Sequence, residues 1–345
     1  MGYATTDEQR ELAGAVRRML ADAARTAPLP PAWEAVGAGL DGALWKTFAE
    51  AGLLGLGVPE ERGGSGGGLR ELCVVAEEVG AALPRIPFAA AVSAVAVLSS
   101  VHNVDNLVEG SAVAVAAWET FPVFPGHRSP LRLSGSTVDG VLGAVPFGLD
   151  AEVLVAAVEG RFVRIDLTAA GVRRESVGAF DVIEPAAAVS LSAVPVVELP
   201  AADVSARVLT VLAAELVGTG QRALDGAVEY AKQRQQFGRA IGSFQALKHL
   251  LADRFVQLDA ARLLVEWAAS TVDSGVAGLA AARTAVAAAS DAADAATRDA
   301  LQAHGGIGFT WEHPSHVHLK HARARRQLLG SAARQLDAVA EHVFA

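Results

Sequence analysis

Gln302-Ala303-His304-Gly305-Gly306-Ile307-Gly308-Phe309 is the stretch on which the reading of the fold turns. It ends an alanine-rich segment, Leu279 to His304, whose spacing predicts a helix. Its glycines stop that helix because they adopt backbone conformations other residues avoid. Two more long helical segments precede it, about Arg207 to Arg234 and Phe244 to Ser270. In the second, Leu247, Leu250, Leu251, Phe255, Leu258, Ala261 and Val265 recur at helical spacing, which predicts one continuous buried stripe. The small side chains of Ala280 to Ala296 permit close helix approach, as in the core of a bundle.

Further from that stretch the character of the chain changes. Short Val-rich runs, Val113 to Ala117, Val153 to Val158, Phe162 to Ile165 and Val196 to Leu199, are separated by Gly, Pro and Ser clusters and predict a small β domain. Near the beginning, Thr5, Thr6 and Asp7 stand before Leu12, Val16 and Leu20 as a helix start, and Pro28, Pro30 and Pro31 break that helix. Leu44 to Leu54 is again helical in period and runs into the turn around Gly57, Pro59, Gly63 and Gly64. Leu69 to Leu83 follows, with Leu72, Val75, Ala76 and Val79 on one face. The expected fold is therefore mainly α with a small β domain: helical over 1–110, β over 111–201 and a helical bundle over 202–345.

Composition narrows the function. A chain of 345 residues has room for about two or three domains. Its 52% hydrophobic content, mostly Ala, Val and Leu beside only 6% aromatics, favours closely packed helices. A net charge of −9 excludes a nucleic-acid binder, because phosphate neutralisation needs a basic surface. No apolar run approaches the roughly 18 residues of a membrane span, and Met1 to Arg10 is polar and acidic where a signal peptide is basic and then apolar. A cytoplasmic protein without membrane contact is expected. Its single cysteine, Cys73, excludes an internal disulfide and a multi-cysteine metal site, and reads as a small core residue on a helix.

Three segments carry a family resemblance. The first comprises Leu44-Trp45, Gly52-Leu53-Leu54-Gly55-Leu56, Val58-Pro59-Glu60-Glu61, Gly63-Gly64 and Glu77-Glu78-Val79-Gly80. The second comprises Gln221-Arg222-Ala223-Leu224, Tyr230-Ala231, Arg234-Gln235-Gln236-Phe237-Gly238, Ile241 and Phe244-Gln245. The third is the glycine stretch from Gln302 to Phe309. In this order and spacing, across nearly the whole chain, they resemble the acyl-CoA dehydrogenases. The resemblance implies that family's fold: an N-terminal helical domain, a middle β-barrel-like domain and a C-terminal four-helix bundle, assembled as dimers or pairs of dimers. It also implies FAD as cofactor, an acyl-CoA thioester as substrate, α,β-desaturation as the reaction and electron-transfer flavoprotein as acceptor.

In this family each FAD lies at a subunit interface, its flavin end on the middle domain of one chain and its adenosine and pyrophosphate end on the neighbour's bundle. Carried onto this sequence, Arg234 offers a donor fork for pyrophosphate oxygen, Phe237 an apolar surface for the adenosine end and Gln302 an amide able to donate and accept. Gly305, Gly306 and Gly308 let the backbone approach the cofactor closely. Without the resemblance the same residues read as a solvated arginine, a core phenylalanine and a helix stop.

The catalytic positions depart from the family. Its carboxylate base removes the α-proton while a hydride leaves the β-carbon for flavin N5, and usually lies in a Tyr-Glu-Gly-Thr sequence. Here Leu328-Leu329-Gly330-Ser331 stands there, so Leu329 occupies the base position. Some members carry the base in a Glu-Arg pair early in the first bundle helix, where counting back from Arg234 gives Val208 and Leu209. The flavin-contacting Thr-Glu-Pro and Gly-Ser-Asp pattern is reduced to Trp118-Glu119-Thr120, and Val145-Pro146-Phe147-Gly148 stands before the strand where Trp-Ile-Thr-Asn is expected.

Keeping the half-site for a neighbour's cofactor while losing one's own resembles the shortened subunit of bacterial α2β2 acyl-CoA dehydrogenases, notably those of actinobacterial steroid side-chain breakdown. The Trp311-Glu312-His313 sequence is also similar to those subunits. The partner this implies is a larger acyl-CoA dehydrogenase subunit carrying the catalytic Glu, acting on a steroid side-chain or other bulky acyl-CoA. Three rivals stay open: a homo-oligomeric dehydrogenase with a displaced base at Glu215, Asp203 or, best placed, Glu312; a flavin oxygenase of the same fold; and a non-catalytic scaffold. His304, His313, His316, His318 and His321 lack an accompanying carboxylate pattern and straddle a turn, so no metal site is expected.

Overall fold

Thr6 and Gln9 open the first helix reciprocally. The Gln9 amide donates to Thr6 Oγ1 at 3.2 Å, and the Thr6 amide to Gln9 Oε1 at 3.1 Å, a capping box that sets the start of α1 (Asp7–Thr26). The structure, a computed structural model, describes residues 5–26, 38–99, 104–124, 129–200 and 204–344. The proline break at Pro28, Pro30 and Pro31 lies outside the described residues. Helix α2 (Gly42–Glu50) is shorter than the helix expected to reach Leu54, because Gly52 takes φ 72° and turns the chain into a short 3-10 turn at Leu53–Gly55. Leu53 and Leu54 remain buried there, which explains why the apolar period continued past the helix end.

α3 (Leu69–Ala82) carries Cys73 into the core, as expected. Its N-terminal amides are satisfied from far along the chain: Leu69 and Arg70 donate to Asp273 at 2.7 and 3.1 Å. Arg17 of α1 grips Glu78 of α3 with two nitrogens, at 3.0 and 2.6 Å. α4 (Phe88–Leu98) was not anticipated, since it is apolar all round and presents no period to read. It is almost wholly buried, and the one-turn α5 (Asp105–Val108) follows it.

The β domain contains β1 (Ala114–Ala116), β2 (Arg132–Ser134), β3 (Thr137–Pro146), β4 (Val153–Val158), β5 (Arg161–Asp166), β6 (Val172–Val177) and β7 (Ala186–Leu199). The strand order is β1-β4-β5-β7-β3-β2, with β6 also on β7. Long β7 joins two pairing regions: up to Pro195 it pairs with β3 and β6, and from Val196 to Leu199 with β5. Among the described residues only β1 and β4 pair in parallel, so the sheet is unlike a parallel nucleotide-binding sheet. β3 and β6 escaped the sequence reading because polar and charged side chains interrupt them, as in Val172-Arg173-Arg174-Glu175.

The C-terminal part is built from α6 (Ser205–Gln233), a small hairpin of β8 (Gln235–Gln236) and β9 (Arg239–Ala240), α7 (Gln245–Asp273), α8 (Leu279–His304), α9 (Ser315–Leu329) and α10 (Ala332–Phe344). Alanine-rich α8 is the centre, packing on α6, α7, α9 and α10. α3 docks on α6 at a pair of glycines: a Cβ on Gly80 would stand 2.0 Å from Glu215 O, and one on Gly218 1.8 Å from Glu77 O. Only glycine permits that approach. The predicted stripe on α7 holds at Leu251, Leu258, Ala261 and Val265 but not at Phe255, which is 54% exposed. Val256, Leu263 and Trp267 are exposed too, so α7 is apolar on more than one face and its period is ambiguous. Among the described residues no helix is long and apolar enough to cross a membrane.

Candidate functional site

At one end of the bundle, α6 finishes in Arg234 and α8 finishes in Gly305. Arg234 is the C-cap of α6, its amide donating to Tyr230 O at 2.8 Å. The hairpin after it turns through Phe237 (φ 53°) and Gly238 (φ 75°), both left-handed, as a two-residue turn matched to the twist of its strands requires. Phenylalanine is an unfavourable residue for that conformation, and here it is also 91% exposed. A large apolar side chain held out by a strained turn is placed for contact with something outside the chain.

α8 is capped by Gly305 at φ 64°, ψ −143°, a conformation open essentially to glycine alone. A Cβ placed on Gly305, Gly306 or Gly238 meets no atom of the chain within 4 Å. Internal packing therefore does not require these glycines, and bare backbone faces outward. Gly308 differs: a Cβ there would come within 2.7 Å of Leu301 O, so this glycine serves the chain's own packing. Gln302 and Gly306 are exposed, as is Arg234. An exposed guanidinium, an exposed amide, an outward ring and open glycine backbone form a donor set and surface that fit a dinucleotide's pyrophosphate and adenosine.

The expected base positions are sealed. Val208, on α6, and Leu329, the last residue of α9, are both 0% exposed. Glu215 lies two turns beyond Val208 on α6; one oxygen of its carboxylate is tied down, and the other, Oε2, is buried without a hydrogen-bond partner. Oε1 lies 3.0 Å from Arg325 Nη2 and 2.8 Å from His321 Nε2. His321 Nδ1 stands 2.6 Å from Asp181 Oδ2, and Arg325 Nη1 pairs with Glu184. Two cations on successive turns of α9 thus bridge a carboxylate of α6 and two carboxylates of the β6–β7 connection. This network borders a cavity of about 20 Å³ walled on its other side by Phe88, Ile86 and Phe147.

The electrostatics follow from burial and pairing together. Burial raises the Glu215 carboxyl, but Arg325 and His321 outweigh it and bring its pKa down to about 2. Burial lowers the His321 imidazole, but Asp181 and Glu215 outweigh it and hold it at about 9. A carboxylate this firmly ionised is a poor proton acceptor, which removes Glu215 from the candidate bases. Asp181, Glu184 and His321 also place potential ligand atoms within 4.8 Å of one another. His321 Nδ1 already bonds Asp181, however, and Arg325 pairs with Glu184, so the cluster reads as an ion-pair lattice.

Glu312 is exposed in the turn before α9, where the Thr310 hydroxyl holds its carboxyl below the usual range. Asp203 lies outside the described residues. In the middle domain, Trp118-Glu119-Thr120 forms a short turn in which the Glu119 and Thr120 side chains bond within the chain, while the buried Trp118 Nε1 has no hydrogen-bond partner. Thr120 Oγ1 donates to Ala117 O at 2.8 Å and accepts from the Ala157 amide at 2.9 Å. Glu119 Oε1 accepts from the Gly143 amide at 2.8 Å, and Trp118 packs against Phe121 and Phe124.

Sequence reasoning missed the network, although part of it left a signal. Glu215 interrupts the otherwise apolar run Val211 to Val217, and His321 and Arg325 stand four apart on one helix face. Asp181 and Glu184 sit in a loop without periodicity, and their pairing over more than 100 residues could not be read.

Comparison with known proteins agrees with this architecture. Family profiles described as "Acyl-CoA dehydrogenase, N-terminal domain" and "Acyl-CoA dehydrogenase, C-terminal domain" match residues 6–104 and 207–344. Acyl-CoA dehydrogenase FadE34 of Mycobacterium tuberculosis is 36% identical over 89% of this chain, which spans only 42% of that longer protein. Acyl-CoA dehydrogenase IpdE2 of the same organism is 34% identical over 89% of this chain and 88% of its own length. A solved variant of the Tcur3481-Tcur3483 steroid acyl-CoA dehydrogenase superposes with a TM-score of 0.85 at 27% identity, covering 98% of each chain. With both helical regions matched and relatives similar over nearly its whole length, this chain belongs to the acyl-CoA dehydrogenase family of FAD-dependent oxidoreductases.

Proposed function

We propose that this chain is the helper subunit of a two-component acyl-CoA dehydrogenase: it holds the adenosine and pyrophosphate end of a partner's FAD and supplies no catalytic base. One contrast carries the reading. The outward half-site offers bare glycine backbone, while both inherited base positions are fully buried aliphatic residues. Arg234 would contact pyrophosphate oxygen, Gln302 would bond nearby polar atoms and Phe237 would cover the adenosine end. FAD, when bound, supplies the two-electron acceptor for the hydride leaving the acyl β-carbon. The proton from the α-carbon goes to a carboxylate on the partner, because Leu329 and Val208 cannot accept one.

The internal bonding of Glu119 and Thr120 supports the same division of labour, since these polar groups are occupied within the chain. The two-chain steroid enzyme among the structural relatives supports a heteromeric assembly, α2β2, acting on a steroid side-chain or other bulky acyl-CoA. Electron-transfer flavoprotein is the acceptor this reading entails, and the cytoplasm its location. The test is to express the chain alone and with the subunit that co-purifies with it, then measure FAD content and acyl-CoA-dependent flavin bleaching. The helper reading expects both to depend on the partner. Stoichiometric FAD and bleaching in the isolated chain would replace it with a self-sufficient dehydrogenase.

A further inference from the structure

We propose that the side chains of Tyr230, His304 and His313 form a positioning stack that fixes the two halves of the cofactor cradle relative to each other. The inference rests on the cradle reading above and adds to it the residues that hold the geometry. Arg234 and Gly305 end two different helices, and neither end is registered by helix geometry alone. Near these ends a ring contact adds to the packing of α6 on α8. The Tyr230 ring lies 4.7 Å from that of His304, tilted by 38°, and His304 lies 4.3 Å from His313.

Two of the rings are tied directly to cradle elements, and the third, His313, to the start of α9. The Tyr230 carbonyl accepts the Arg234 amide at 2.8 Å, so displacement of Tyr230 moves the Arg234 backbone with it. His304 is the last residue of α8, bonded covalently to Gly305. Its Nδ1 donates to Ala300 O at 2.7 Å, since a carbonyl can only accept, and also lies 3.3 Å from Ser315 Oγ. Ser315 Oγ stands 2.7 Å from His313 Nδ1, and the Ser315 amide donates to the same nitrogen at 3.2 Å. The stack thus closes the loop between Gly305 and Pro314 onto the start of α9.

The stack matters because the outward parts of the cradle gain little order from packing, although the helices behind them are packed and the Arg234 carbonyl accepts the Ile241 amide at 2.8 Å. Its hairpin is exposed, its glycines face open space and its aromatic residue projects outward. Exposed backbone of this kind becomes precise only where packed or hydrogen-bonded neighbours hold it. His304 and Ser315 are buried and supply that support. Because the stack touches only the cradle's frame, it should govern how long the cofactor stays bound.

The experiment uses the FAD-loaded assembly purified through a tag on this chain, and reads the rate of FAD release together with the melting temperature. Tyr230→Leu should accelerate release roughly 3- to 10-fold, the range expected for losing one aromatic pair. Tyr230→Phe keeps the ring and should release FAD at the wild-type rate. That rescue separates ring positioning from general destabilisation. Where Tyr230→Leu yields no folded assembly, His313→Ala removes the half-exposed outer ring and should accelerate release in the same direction. If Arg234→Ala accelerates release while the ring variants do not, the cradle stands and the stack is overturned. If none of the four variants changes release, the cradle itself is misassigned and this inference falls with it.

Discussion

His321 and Asp181 meet at 2.6 Å across 140 positions of sequence, joining α9 of the bundle to the connection between β6 and β7. The other face of the same imidazole approaches Glu215 at 2.8 Å. One protonated ring therefore fastens the β domain to two bundle helices. Replacing it leaves Asp181 and Glu215 buried with less compensating charge. His321→Leu is expected to destabilise the fold by about 3 to 5 kcal/mol, the range for breaking a buried ion pair on one side. Denaturant unfolding of the purified chain measures this. A loss below about 1 kcal/mol would show that the lattice relaxes without its central cation.

The pH dependence of stability follows from the same groups, with signs fixed by direction. His321 is raised to about 9 in the fold, so its contribution is full below the ordinary imidazole value and fades as pH rises through about 9. Glu215 is lowered to about 2, so its contribution is full above the ordinary carboxyl value and fades as pH falls through about 2. Stability should therefore peak on the mildly acidic side of neutral and decline through the alkaline range. His321→Leu should flatten the alkaline limb. An alkaline slope identical in wild type and variant would assign it to other groups.

How much of this was legible differed sharply between regions. α8 ended at His304 as read, because an alanine-rich helix meeting glycine is a local signal carried by adjacent residues. α4 gave no such signal: almost wholly buried, it lacks the polar face that makes a period visible. At the site, Arg234, Phe237, Gln302 and the glycines were nominated through the family resemblance, and the structure adds that Arg234, Phe237, Gln302 and Gly306 are exposed while Gly308 is buried. The Asp181–His321–Glu215–Arg325–Glu184 lattice was illegible because its members come from three distant segments brought together only by tertiary packing.

Arg234 is the exposed charged group of the proposed cradle, and its removal tests the assignment directly. Arg234→Ala should weaken FAD retention in the assembled enzyme by about 10- to 100-fold, the usual scale for a charge-assisted phosphate contact. The fold should be unaffected, since the side chain lies at the surface. Equilibrium dialysis against free FAD gives the number. Undiminished retention would take Arg234 out of the cofactor site.

The proposal that this chain supplies no base makes the last prediction. A thioester α-proton is too weakly acidic to leave without a positioned carboxylate, whose assistance is worth about 10²- to 10⁴-fold in rate. Leu329 and Val208 are fully buried, Glu215 is held ionised by two cations, and Glu312 is in an exposed surface turn. Glu312→Gln should therefore leave acyl-CoA-dependent flavin bleaching of the assembly unchanged. Restoring a carboxylate by Leu329→Glu should destabilise the chain, because the site is fully buried and the new charge has no preformed partner, and should confer no bleaching on the chain alone. Replacing the partner's catalytic carboxylate, by contrast, should abolish turnover while FAD content stays constant. If the isolated chain instead binds about one FAD per subunit and is bleached by an acyl-CoA in a reaction that Glu312→Gln abolishes, the base is on this chain and the helper reading must be given up.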